Sequence, residues 1–553
     1  MIRLPGVDHR GLDRGPLQSR WLRVAVLGLV SVYGALMATQ YAVPVLVASL
    51  GAVLLGVALV DWRVSYLILL AYLPYSGVAA IILYPNTGAA ALVKDVALVL
   101  PLYFGFIAYL ARTKRPLNPT GASTWYLAPL AAVVLVQAFN PALPNLLVAL
   151  VGIRVWLLYV PLVYVTAHFV WFEKRGLETI LRVLVVASVP AAVFGILQAL
   201  LLMAGRDDLA YAVYGRAAAS VTQEFASFQI GTGTIQRVAS TLPFAGQYFA
   251  FTLGAIAVSY ALWRLPRHQR SLNRLAAMAL CVSVCAALTS GLRGAFLGVP
   301  AFLLLTALFE GLHLHRFVVQ GVLTAGALAA AIWSFGVSAV TLASYLAQTA
   351  AIETQFLLVG GLGRALPFAI IGLGTGADTN ATRYVLNGDL VVNSFGNVWF
   401  ENWYLKALVE LGVVGLIAVA LLIVGIVRLA RFALRGGTQG SATGDERGRG
   451  VAAPLVAFLL VVLLYNLKGG SMDLDPINVE FWVVLGMLLA WVPGHGLPKE
   501  RASGPGLSAT SMVRAEQRGG HHTQAQGTAG STAGSLGGAC AGSTCRRETE
   551  DRG

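Results

Sequence analysis

Uninterrupted apolar runs long enough to cross a bilayer recur along this chain, and they restrict its fold more than any other feature. They lie near 22–39, 42–60, 65–83, 91–110, 124–138, 146–170, 178–203, 245–263, 274–289, 295–310, 317–338, 403–430, 451–467 and 478–493. A spanning segment must satisfy its own backbone hydrogen bonds in hydrocarbon, which leaves helices or closed barrels. Barrel strands alternate in polarity over about ten residues, whereas these runs are continuous over about twenty. The expected fold is all-α: a polytopic integral membrane protein of about 12–14 transmembrane helices. Composition agrees, since 57% of the 553 residues are hydrophobic and 12% are charged, against about a quarter charged in a soluble domain. The runs at 124–138, 274–289 and 295–310 are short and are expected to be tilted or kinked.

Short basic loops stay in the cytoplasm. Arg3, Arg10, Arg14, Arg20 and Arg23 precede the first run, which puts the N-terminus inside. Alternation then brings to the same side Arg112, Lys114 and Arg115, Lys174 and Arg175, the arginines 264, 267, 270 and 274, Arg316, and Arg428, Arg431, Arg435, Arg447 and Arg449. A basic start before an apolar run is also the pattern of a signal peptide. This run is long and carries no convincing cleavage site, so 22–39 is read as the first span, after a cytoplasmic segment 1–21.

The net charge of +14 sits largely in these juxtamembrane loops, where it orients the protein and meets anionic headgroups of the membrane lipid; no nucleic acid is expected as a partner. The expected division is a helical membrane domain at 22–493 and a cytoplasmic tail at 494–553, too rich in Gly, Ser, Thr and Gln to bury a core. The stretch 436–450 is read as a flexible inner connector. Cys281 and Cys285, one helical turn apart, are read as small residues at a helix-packing interface. No metal site and no cofactor are expected.

Two outer segments, near 204–244 and 339–402, are longer than a connection needs and are where function is sought. Residues such as Tyr345 and Phe356–Val359 suggest that parts lie flat on the membrane surface. Gly372-Leu-Gly-Thr-Gly-Ala-Asp378 lacks the spacing and setting of a dinucleotide turn. It is read as a tight turn that brings backbone close to a substrate or a helix.

Cations outside the inside rule need a purpose or a partner. Arg154 lies within a span, Arg237 stands just before another, and Arg293 occupies an outer corner between two. Arginine offers a planar fork of donors suited to phosphate oxygens, so the three together point to a diphosphate group. The competing reading of each is snorkelling or a salt bridge to a carboxylate. Lys94 and Asp95 are read as pairing across helices or lining the cavity. Lys406 and Glu410, four residues apart on one helix, are read as a structural ion pair.

The order of Arg237-Val-Ala-Ser-Thr-Leu-Pro, Leu288-Thr-Ser-Gly-Leu-Arg-Gly-Ala, Gly372-Leu-Gly-Thr-Gly and Glu401-Asn-Trp-Tyr-Leu-Lys-Ala-Leu-Val-Glu-Leu-Gly-Val-Val-Gly-Leu resembles the O-antigen ligase and O-antigen polymerase superfamily, over about residues 90–430. The resemblance implies a metal-independent glycosyltransferase of the bacterial inner membrane, with a fold like that of multi-span lipid-sugar-dependent transferases. It implies a polyprenyl-diphosphate-linked oligosaccharide as donor, a glycan or lipid as acceptor, and a chain-length regulator or flippase as protein partner. The diphosphate-binding role carries over to Arg237 and Arg293, with Arg154 a looser match. One departure stands out. Ligases of the family have His before the Asn that opens the late helix, and this chain has Glu401 before Asn402. All eight histidines map to the inner side or its boundary, so Glu401 is the expected base, with Arg293 assisting catalysis and Asn402 or Tyr404 orienting the acceptor. The alternative reading of Glu401 is a solvated carboxylate favoured at a helix N-terminus. The alternative function is a transporter or flippase, against which stand few mid-span acids and no clear pattern of broken helices.

Overall fold

The computed structural model describes residues 42–82, 94–120, 124–173, 175–215, 227–230, 233–265, 270–311, 344, 347, 350, 351, 354, 360–379, 400, 402–435 and 445–491. These residues form an all-α polytopic membrane protein. Seven helices among them are long and apolar enough to cross a bilayer, and four shorter apolar helices accompany them. The expected spans at 22–39 and 317–338, the segments 1–21 and 494–553, and the residues Tyr345 and Phe356–Val359 lie outside the described residues.

In chain order the helices are α1 Ala42–Val60, α2 Trp62–Tyr72, α3 Val78–Ile82, α4 Asp95–Thr113, α5 Leu127–Gln137, α6 Leu146–Leu157, α7 Leu162–Phe172, α8 Gly176–Met203 and α9 Asp207–Ala212. After a short antiparallel hairpin of β1 Ser227–Ile230 and β2 Gly233–Gln236 come α10 Ala245–Arg264, α11 Arg270–Leu288, α12 Arg293–Glu310 and α13 Gly361–Ala365. The last three are α14 Trp403–Arg435, α15 Asp445–Tyr465 and α16 Ile477–Leu489.

Helices α10 and α16 form the centre. Every residue of α16 is buried, and α10 is buried from Gln247 to Leu262. Helices α4, α8, α11 and α12 surround them and turn Phe104, Ile107, Leu197, Met278, Leu297, Leu304 and Leu308 outward. An apolar exterior around a core that holds Lys94, Asp95, Lys406, Glu410 and Glu480 inverts the pattern of a water-soluble domain and is what a lipid solvent selects.

The two ends differ in charge. At one end Arg63 pairs with Glu173 at 2.7 Å, Arg112 reaches the Leu59 carbonyl at 3.3 Å, and Arg115 lies 3.8 Å from the centre of the Phe172 ring. Arg264 bonds Glu310 at 2.8 Å, and Arg449 donates to the Leu434 carbonyl at 3.3 Å. Buried His168 belongs to this end too, its Nε2 2.9 Å from the Pro116 carbonyl oxygen. The basic loops thus gather at one end, as alternation requires.

Two sequence expectations need correction, the run 65–83 and the packing of the cysteines, and two expected spans carry breaks. The run 65–83 is not one helix, because Pro74 terminates α2 in a 3-10 turn at Leu73–Tyr75 before α3 begins. The run 146–170 is one span, as expected, but within it α6 and α7 are joined by a turn ending in Pro161, where the Leu158 carbonyl accepts from the Tyr103 hydroxyl. Proline removes a backbone donor and clashes with the preceding turn, so both breaks have a local cause. Helix α14 breaks at Gly412, whose φ of +71° and ψ of −171° are non-helical. Cys281 and Cys285 are exposed on α11 rather than packed against a neighbouring helix.

Close helix packing depends on glycine where backbones touch. A Cβ on Gly105 of α4 would stand 2.2 Å from the Ala58 carbonyl oxygen of α1. Gly105→Ala should cost about 1–3 kcal/mol by overpacking, read as a lowered unfolding temperature in lipid nanodiscs. An unchanged midpoint would show that α1 and α4 separate freely.

Candidate active site at the non-basic end

Three irregular stretches of helix meet at the end of the bundle away from the basic loops. Helix α4 opens with a π-turn over Asp95–Val99, α6 ends at the break that carries Tyr159, and α14 is interrupted at Gly412. Such departures from regular helix cost backbone hydrogen bonds and recur at functional sites.

The first charge cluster lies between α4, α6 and the loop that leads into α16. Asp95 accepts from Lys94 Nζ at 2.9 Å, from the Tyr159 hydroxyl at 2.6 Å and from Arg154 Nε. Asp475 bonds Lys94 Nζ at 3.2 Å and lies 3.8 Å from Arg154 Nη2. Lys94 also stands 4.2 Å from the centre of the Tyr159 ring. Two cations thus face two carboxylates in a mostly buried setting, an arrangement that holds only while each charge keeps its partner. Lys94 and Asp95 therefore pair with each other and across helices, as their sequence position suggests. Arg154 is engaged by carboxylates here.

The second cluster is built by the glycine-rich turn. Gly372, Gly374 and Gly376 all have positive φ, which glycine adopts without steric cost. The turn packs against the break in α14, where the Leu373 N–H donates to the Val409 carbonyl at 2.8 Å and the Gly374 N–H to that of Glu410 at 2.9 Å. The Val413 N–H, released by the break, donates to the Ala369 carbonyl at 2.6 Å. Interrupted backbone at membrane depth is tolerated where protein supplies the missing partners, and the turn supplies them. The turn's close approach is thus to a helix.

Glu410 lies at the focus of this contact. Its carboxylate accepts from Trp156 Nε1 at 2.7 Å, from the Asp378 N–H at 2.8 Å, from the Gly376 N–H at 3.1 Å and from the Thr379 hydroxyl at 3.2 Å. Lys406 does not form the expected ion pair with Glu410; its ammonium bonds Asp473 and lies 5.6 Å from the centre of the Trp156 ring. The acids of the turn and loop are perturbed. Burial, and next the Glu410 carboxylate, push the Asp378 carboxyl well above its ordinary range, against the pull of Lys406 and the Phe400 N–H. Burial also raises Asp473, opposed by its bond to Lys406.

The arginines singled out in the sequence approach each other in part. The Val238 N–H donates to the Ser290 carbonyl at 3.0 Å, and a Cβ on Gly291 would meet the Gln236 carbonyl oxygen at 2.2 Å. Arg237 and the first residue of α12, Arg293, therefore belong to one corner of backbone. Arg237 is partly buried, and the Arg293 side chain lies outside the described residues. The corner is anchored through Thr241, whose hydroxyl donates to the Pro74 carbonyl, and through Ser240, whose N–H donates to Gln198 Oε1 at 2.9 Å.

Glu401 lies outside the described residues. Asn402 caps α14, its Oδ1 accepting from the Tyr404 N–H at 2.9 Å and the Leu405 N–H at 3.1 Å, as asparagine does at a helix start. Tyr404 donates its hydroxyl to the Leu463 carbonyl at 2.7 Å. Both side chains are thus occupied structurally in this state. Sequence reasoning did not single out Asp473 and Asp475. Their signal was two acids, two residues apart, in a short connection on the side away from the basic loops.

The four ligand types that most often hold a metal do not gather in groups of three or more among the described residues. Instead, the described residues present two clusters of buried charges and a backbone corner that carries Arg237 and Arg293.

Asp95→Asn would leave Lys94 and Arg154 without their shared carboxylate. It should destabilise the folded chain by about 3–5 kcal/mol, measured by denaturant unfolding in lipid, and an unchanged stability would mean that Asp475 alone holds both cations. Asp378 gives a pH signature. The folded chain holds its proton more tightly than the unfolded one, so its contribution to stability is greatest in acid and declines as pH rises above the unfolded value of about 3.9. The neutral variant Asp378→Asn should therefore gain stability over the parent as pH rises from about 4 to 7. A difference independent of pH would mean that Asp378 is ionised throughout.

No protein-family model and no curated protein sequence matches this chain.

Proposed function

We propose that this membrane protein is a glycosyltransferase of the O-antigen ligase and polymerase type. On this reading it acts at the non-basic end of the bundle, the outer face of a bacterial inner membrane, on a polyprenyl-diphosphate-linked glycan. One observation supports it most: the hydrogen bond from Val238 to Ser290, which draws the segments of Arg237 and Arg293 together from distant parts of the chain. Arginine offers a planar fork of donors that suits the oxygens of a diphosphate.

In the proposed reaction an acceptor hydroxyl oxygen attacks the anomeric carbon of the lipid-linked sugar. The bond from that carbon to the diphosphate oxygen breaks, and its electron pair leaves with the polyprenyl diphosphate. Arg237 and Arg293 stabilise the charge that grows there, as positioned cations do for leaving groups. Arg154 joins them if the diphosphate competes with Asp95 for its guanidinium. Glu401 takes the hydroxyl proton. The diphosphate bond already stores the driving energy, so the reaction calls for neither a nucleotide nor a metal. Asn402 and Tyr404, on this reading, orient the acceptor by setting the start of α14 rather than by touching it.

A second reading, a transporter or flippase for a lipid-linked or polar solute, gains from the break at Gly412 and the buried acids beside it, features common in coupled transporters. The experiment that separates them uses purified protein reconstituted in lipid, a polyprenyl-diphosphate oligosaccharide and a chelator. The parent protein should release polyprenyl diphosphate and form a glycan product, and Arg237→Ala or Arg293→Ala should lower the rate by about 100-fold or more. Glu401→Gln should lower the rate while leaving donor binding intact. Movement of the donor across the bilayer without release of diphosphate would overturn the transferase reading in favour of transport.

A further inference from the structure

A carboxyl group that belongs to neither charge cluster is enclosed within the bundle, in the first turn of α16. Glu480 stands on α16 and is 7% exposed. It borders a cavity whose other walls are Leu73, Leu184 and Ser188 of the α2 end and α8, Gly254 and Val258 of α10, and Val483 of α16 itself. The Glu480 Oε2 atom is buried and meets no hydrogen-bond donor. Ser188, the other polar side chain of the wall, directs its hydroxyl to the Leu184 carbonyl at 2.6 Å. No charged side chain from α8, α10 or the end of α2 lines this cavity, and Glu480 is its one titratable group among the described residues.

Space for the carboxyl is created by a missing side chain. Gly254 lies midway along α10, and a Cβ there would stand 2.1 Å from Glu480 Oε2. The glycine is not required by backbone geometry, since it lies within a regular helix, where glycine costs about 1 kcal/mol against alanine. Its effect is to admit the carboxyl against the helix backbone.

An ionised carboxylate whose Oε2 is buried without a donor, in a wall that holds no cation, carries a desolvation cost that a fold avoids by neutralising the group. We propose that Glu480 is an intramembrane proton-binding site, a carboxylic acid seated against Gly254 in an apolar chamber of the bundle. The proton lets the two central helices, α10 and α16, stay in contact. Protonation there is independent of the glycosyltransferase reading, because the cavity wall includes none of Arg237, Arg293, Arg154 and Glu401.

Two measurements on the full chain in lipid nanodiscs test this at neutral pH. Infrared difference spectroscopy between the parent and Glu480→Gln should show the loss of a protonated-acid carbonyl band; the loss of carboxylate bands alone would overturn the proposal. The second uses dicyclohexylcarbodiimide, an apolar reagent that adds to protonated carboxyls. The acid oxygen bonds to the carbodiimide carbon and the proton passes to nitrogen, so the adduct carries the full mass of the reagent. Peptide mapping should find it on Glu480 and not in Glu480→Gln. In Gly254→Ala, whose methyl group takes the space of the carboxyl, labelling should change by at least tenfold relative to the parent. Equal labelling of Glu480 by a water-soluble carbodiimide, or labelling indifferent to Gly254→Ala, would overturn the proposal. Should Glu480→Gln fail to fold, as judged by gel filtration, the parent and Gly254→Ala still decide the labelling test.

Discussion

Charges within hydrocarbon persist when each has its counter-charge in reach, and here one short connection supplies two of those partners. The loop between α15 and α16 carries Asp473, which holds Lys406 of α14, and Asp475, which reaches Lys94 beside α4 and Arg154 of α6. A handful of residues thereby ties the last helices of the described bundle to its earlier ones. The same connection is fixed from behind, since Asn466 Oδ1 accepts from the Met472 N–H at 3.3 Å and the Asn466 carbonyl accepts from the Trp403 N–H at 3.0 Å. Without this loop, Lys406 would lose its carboxylate, and Lys94 and Arg154 would have to share Asp95.

The break in α14 depends on a comparable exchange. Gly412 releases backbone groups that hydrocarbon cannot solvate, and the glycine-rich turn at 372–376 provides donors in their place. Glu410 then gathers N–H groups from the turn and the indole of Trp156. Trp156 in turn lies against Trp403, with ring centres 5.2 Å apart. The turn, the broken helix and the end of α6 are thus one unit. The described stretch that precedes the turn presents Leu362, Leu366, Ile370 and Ile371 outward, which suits a segment resting at the edge of a membrane.

Much of the candidate site was legible as single residues and little of it as relationships. Lys94, Asp95 and Arg154 stood out because charges are costly near the bilayer interior, yet their sharing of Asp475 joins positions more than 300 residues apart in sequence and has no local signature. Helical spacing suggested that Lys406 and Glu410 would pair, but each found a better partner from another element. Asp473 offers Lys406 a direct ion pair, while the turn offers Glu410 several oriented donors. Local proximity gives an exposed helix pair a few tenths of a kcal/mol, too little to compete with buried partners. Cys281 and Cys285 were misjudged for a related reason: small size suits a helix interface, but which face of α11 meets its neighbours is decided by the whole bundle.

The sequence by itself determined that this chain is a polytopic helical membrane protein and that its basic loops share one end, because hydropathy and loop charge act locally and add up along the chain. It also marked the apolar runs closely enough that most described helices fall within a few residues of them. Tertiary structure alone decided that α14 breaks at Gly412, which carboxylate holds which cation, and that Glu480 lies against Gly254. Those outcomes depend on contacts between distant segments, where the cost of a buried charge or a freed carbonyl is met or left standing by whatever the fold brings beside it.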